Sequence, residues 1–147
     1  MLIKHNANSA GAAHNGCFCR NLGKLRMPRS ILDESRIHPA VRERVASHQQ
    51  AIVKEVQAAV GQHAVVVVGM GINPFPKKAR KLLDGAGVAY HYLEYGNYLN
   101  RWRERNALKL WTGWPTFPMV FVKGTLIGGA NDLEKLIASG ELKTLLA

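Results

Sequence analysis

The chain has 147 residues, 20 Lys and Arg against 10 Asp and Glu, two cysteines, 47% hydrophobic residues and 7% aromatics. This is enough for one ordinary domain and an appendage. It holds no run approaching the roughly 18 apolar residues that span a bilayer, and no signal-peptide core opens it, so we expect a soluble, cytoplasmic protein without a membrane partner.

Residues 1–26 contain Lys4, Arg20, Lys24 and Arg26 and no acid, with Asn, Ala, Gly and His but no sustained apolar period. Their composition predicts a disordered basic tail. A transit peptide, or a physiological start at Met27, are alternatives for the same segment. Both cysteines, Cys17 and Cys19, lie in this tail. Two thiols make no disulfide framework and supply too few ligands for a closed zinc site.

Residues 27–61 read as a helical extension. A helix is expected from His38-Pro39, because Pro is tolerated at the first helical position. Val41, Val45, Ile52, Val53, Val56 and Val60 follow at helical spacing, and Gly61 is expected to stop it.

Residues 62–147 form the main domain. Ala64 to Val68 is a β-branched run too short for a helix and apolar throughout, which predicts a central strand buried on both faces. Next come Asn73-Pro74-Phe75-Pro76, a helical stretch from Lys77 to Leu83, Gly85 and Gly87, and an alternating strand from Val88 to Glu94. Strand, helix, strand in this span is a βαβ unit.

A second helix is expected from Tyr98 to Trp111, with Leu99, Trp102, Leu108 and Trp111 on its apolar side. Pro118 to Val122 and Thr125 to Ile127 flank Lys123-Gly124, a two-residue hairpin turn. Asn131 is a candidate cap for a last helix, with Glu134 completing a capping-box-like pair and Leu133, Leu136 and Ile137 as the apolar stripe. Gly140 ends it, and a short segment from Leu142 to Leu146 follows. The order βαβ, helix, β-hairpin, helix predicts an α/β thioredoxin-like fold carrying an extra N-terminal helix.

Trp114-Pro115-Thr116-Phe117-Pro118 is followed by Gly128-Gly129-Ala130-Asn131-Asp132. In these segments the sequence resembles the glutaredoxins, and in particular their monothiol branch, over residues 62–147. The resemblance implies a cis-proline at Pro118 and a site for glutathione laid across the two segments. Thr116 and Phe117 precede that proline, and the Phe117 backbone would pair with the ligand's cysteine. Gly128 and Gly129 would let the backbone come close to the ligand. Its γ-glutamyl carboxylate would sit at Asn131 and Asp132, where free N–H groups and the helix dipole favour an anion. Its glycine carboxylate would be held by Arg105 and Lys109, nine and five residues before Trp114.

The departure is in the chemistry. The family places a nucleophilic thiolate at the start of its first helix, where the dipole lowers the thiol pKa. Here the four motif positions are Asn73, Pro74, Phe75 and Pro76, with no cysteine, and a Lys expected ahead of them is replaced by Met70. Asn73 has a plain structural reading as a helix N-cap, with Pro74 at the following position. An amide neither exchanges thiols nor ligates the iron–sulfur cluster that monothiol members share between subunits.

We therefore expect a degenerate glutaredoxin-like domain that binds glutathione or an unknown protein partner without thiol–disulfide catalysis and without an iron–sulfur cluster. One alternative, implied by the resemblance, is a glutathione-dependent thiol–disulfide oxidoreductase or monothiol glutaredoxin with a redox or iron–sulfur role, acting through a tail thiol or through a chemistry the sequence does not display. Another is a basic module for nucleic acid or an acidic protein, built on Lys77-Lys78-Ala79-Arg80-Lys81 and on Arg101, Arg103 and Arg105. The commoner outcome for such rows is a solvated polar face, so nucleic acid is not expected. His38, His48, His63 and His91 show no metal-ligand spacing.

Overall fold

A computed structural model describes residues 29–147. The tail, its two cysteines and Met27 lie outside the described residues. After a short 3₁₀ turn at Glu34–Arg36, the elements are α1 (Pro39–Ser47), α2 (Gln50–Gln62), β1 (Val65–Gly69), α3 (Pro74–Gly85), β2 (His91–Glu94), α4 (Trp102–Thr112), β3 (Met119–Val122), β4 (Thr125–Gly128), α5 (Ala130–Ala138) and α6 (Glu141–Leu146).

The strands form one sheet in the order β2-β1-β3-β4. β1 pairs parallel with β2 and antiparallel with β3, and β3 pairs antiparallel with β4. Every residue of β1 is buried, as the uninterrupted valine run requires of a central strand covered on both faces. Because side chains alternate along a strand, Val66 and Val68 join one apolar layer with Ile52 and Val56 of α2, Leu108 of α4, and Met119 and Phe121 of β3. Val65 and Val67 join the opposite layer, with Ala79 and Leu83 of α3, Leu133 of α5 and Leu142 of α6. Helices thus cover both faces, and the upper ends of β1 and β3 lead into the segments that build the site.

Four local expectations are corrected. The single helix from about 39 to 60 is two helices, because Gln49 adopts a left-handed conformation with φ +50°. The apolar period runs straight through this break, so the spacing of Val45 and Ile52 could not reveal it. The second strand begins at His91 rather than Val88, because the Val88 N–H closes the end of α3 on the Leu83 carbonyl at 3.0 Å. The helix expected from Tyr98 begins at Trp102. Before it, the Asn97 side chain accepts the Leu99 N–H and the Asn100 side chain accepts the Asn97 N–H, each at 2.9 Å, the local bonding by which Asn favours turns over helix. The last helix is capped at Gly129, not at Asn131.

The hairpin turn at Lys123-Gly124 has φ +43° and +83°, matching the paired left-handed residues of a tight two-residue connection.

Candidate functional site

The start of α3 is built by Asn73. Its backbone is extended, and its Oδ1 accepts the Phe75 N–H at 3.0 Å while Pro74 occupies the first helical position. This satisfies one of the donors that a helix start leaves unpaired. Asn73 is buried, and Pro76, the fourth motif residue, is buried against the sheet. The side chain in the position of a nucleophile is thus a neutral amide engaged in local structure.

Opposite it runs the segment from Trp114 to Pro118, whose Phe117–Pro118 peptide bond is cis. Together with the start of α5 these pieces enclose an open groove of about 630 Å³. Asn73, Pro74 and Phe75 line one side, Lys109, Thr116 and Phe117 another, and Gly129, Asn131 and Asp132 the third, with Met70, Tyr98, Trp114 and Ala130 completing it. Lys109 Nζ lies 5.8 Å from the centre of the Phe117 ring, so one cation stands above the groove's aromatic wall. The Trp114 indole N–H is buried without a hydrogen-bond partner among the described residues.

The start of α5 is fixed by Asp132, whose Oδ2 accepts the Gly129 N–H at 3.0 Å. That arrangement explains Gly128: its φ is +116°, and a Cβ there would come within 2.6 Å of the Asp132 carboxylate. Gly129 is less constrained within the protein, since a Cβ would meet nothing closer than 3.7 Å. Asn131 and Glu134 do not cap the helix as the sequence suggested. Their side chains both accept from Lys78 Nζ of α3, at 3.0 and 2.6 Å.

Arg105 is placed elsewhere. Its guanidinium is buried and donates to the backbone carbonyls of Tyr95 and Asn100, clamping the turn ahead of α4 instead of facing the groove. Pro118 and Gly128 support the groove without lining it. Met70, Tyr98 and Trp114 are contributors beyond the expected set. Trp114 carried a signal as part of the Trp-Pro segment, whereas Tyr98 was expected inside a helix and is exposed in the turn before one.

The basic rows are partly absorbed by the fold. Lys78 pairs with Glu134 and Arg101 with Glu104, Arg80 lies 4.4 Å over the Tyr92 ring, and Arg103 lies over Trp102.

A family model for glutaredoxin matches residues 74–127. A glutaredoxin-like protein of Dictyostelium discoideum is 43% identical over 98 residues, which cover 67% of this chain and 80% of that relative. This chain belongs to the glutaredoxin family. Among other glutaredoxins, the chloroplastic bifunctional monothiol glutaredoxin-S16 of Arabidopsis thaliana is 36% identical over 77 residues. Those residues are 49% of this chain but only 25% of that longer relative. A solved buckwheat glutaredoxin–glutathione complex superposes with a TM-score of 0.61 at 26% identity, covering 67% of this chain and 90% of that one. The glutaredoxin fold here is therefore the thioredoxin-like arrangement of sheet and helices expected from the element order. An iron–sulfur cluster takes thiolate ligands, and the amide of Asn73 does not fit that donor set.

Proposed function

We propose that this glutaredoxin-family chain binds glutathione in the groove between α3, the cis-proline segment and α5, without thiol–disulfide exchange at the start of α3. The observation that carries the reading is the Asn73 side chain, spent on capping Phe75 where the chemistry would need a thiolate, beside a groove lined by Lys109, Thr116, Phe117, Gly129, Asn131 and Asp132. Lys109 supplies a cation for one ligand carboxylate, and the N–H groups at the start of α5 favour another. The Thr116-Phe117 backbone offers a strand-like edge for the peptide portion. With no described thiol in reach, the ligand's sulfur is held and released unchanged. A cytoplasmic location, where thiols are kept reduced, goes with this reading, and cell fractionation checks it.

Titration calorimetry with reduced glutathione is the test. We expect saturable heat that Lys109→Ala weakens by about tenfold, roughly the worth of one charged hydrogen bond. Absence of heat at millimolar ligand would leave only a protein-binding role. In a mixed-disulfide reduction assay we expect no turnover. Turnover that disappears when Cys17 and Cys19 are both replaced by Ser would instead make the chain an enzyme acting through its tail.

A further inference from the structure

Val41 and Val45 stand one turn apart on α1 and are 40% and 57% exposed. α1 has nine residues and buries none of them. A helix this short is marginal in water on its own, and its stability in proteins comes from packing an apolar face. With Ile31, Val53 of α2, and Ala107 and Trp111 of α4, the two valines line an apolar groove of about 860 Å³. It shares no residue with the glutathione groove, and α1 lies outside the residues that match the family model.

The groove has a sign as well as a shape. Among the described residues, the charged side chains lining it are Arg44 and Lys54, and no carboxylate does. Both are exposed, and neither has an ion-pair partner among the described residues. Like-charge juxtaposition disfavours a basic occupant. Segment 1–26 holds four basic residues and no acid to meet Arg44 and Lys54, and a second copy would bring the same net +10.

We propose that this groove docks an amphipathic helix of a partner protein whose apolar face is flanked by acidic residues. The walls are mainly α1, α2 and α4, and none of the described lining residues lies in a strand, so the fitting mode is a helix laid into a helical groove, with apolar anchors at i, i+3, i+4 and i+7. Val41, Val45 and Trp111 receive the anchors, and Arg44 and Lys54 meet the flanking carboxylates.

The test uses two fluorescein-labelled model helices with identical leucine faces, one flanked by Glu and its twin by Lys. Each is titrated with the full chain and followed by fluorescence anisotropy. We expect the Glu peptide to bind at least tenfold more tightly at low salt, with the gap narrowing as salt is raised. Val45→Asp should abolish binding, and Arg44→Glu with Lys54→Glu should reverse the preference. Because those two residues are exposed, the charge reversal decides the matter even if Val45→Asp does not fold. Equal binding of the twins, or binding indifferent to the charge reversal, overturns the proposal. So does a sedimentation mass of two copies that Val45→Asp returns to one, which would assign the groove to self-association.

Discussion

Replacing Asn73 by Ala removes the oxygen that accepts the Phe75 N–H and leaves α3 uncapped. We expect a loss of about 1 kcal/mol in unfolding free energy, read from urea denaturation. Asn73→Cys puts a thiol at the same helix start. There the dipole should bring its pKa below the ordinary value of about 8.5, seen as thiolate absorbance in a pH titration. The two adjacent glycines separate in the same way. Gly128→Ala drives a Cβ against Asp132 and forces a non-glycine residue to φ +116°, so its melting temperature should fall by several degrees, while Gly129→Ala should leave stability within about 0.5 kcal/mol. Asn73 was legible because capping is local: the residue, the following proline and the helix are contiguous. Gly128 and Gly129 were legible as a pair, but which one the backbone requires depends on where Asp132 turns back, and no spacing rule states that.

At the level of elements, the turn between β2 and α4 is held by Arg105, whose partners are carbonyls ten and five residues back. Arg105→Ala leaves both without their charged donor in a buried place. We expect a cost of about 2–3 kcal/mol in thermal or chemical unfolding, while glutathione affinity at temperatures where the variant is folded changes less than twofold. A groove-lining role for Arg105 would predict the opposite, with large loss of affinity and little loss of stability. The motif spacing pointed to Arg105 as a cation for a ligand, because spacing along a helix fixes position but not which way a long side chain turns. Other elements were read more fully. The valine run of β1 and the apolar stripe of α5 each carry their burial in their own period, and the hairpin turn is marked by its Gly124, whereas the break at Gln49 falls on a residue with no turn signal.

For the whole molecule, the alkaline limit of stability follows from two tyrosines on β2 and just after it. Burial, then the hydrogen bond to Glu94 and its charge, push Tyr92 up to about 12, and burial together with the Glu55 carboxylate pushes Tyr95 up further. The folded state therefore keeps these protons where the unfolded chain, titrating near 10, has lost them. Stability is fully present below pH 10 and falls as pH rises toward 12. Denaturation midpoints measured from pH 9 to pH 12 should decline, and Tyr92→Phe should flatten the decline. The layered sheet could be anticipated from sequence because its order is carried by contiguous runs. The second groove could not, since it exists only where α1, α2 and α4 meet.

The sulfur atoms of residues 29–147 belong to Met70 and Met119, both buried thioethers. A protein that changes oxidation state keeps a record of each encounter until another reaction erases it. This fold has no sulfur with which to keep one by disulfide formation. On the proposed binding role, the response of this fold to the glutathione pool is set by concentration at each instant, through the occupied fraction of a reversible equilibrium, and carries no memory of the last molecule bound.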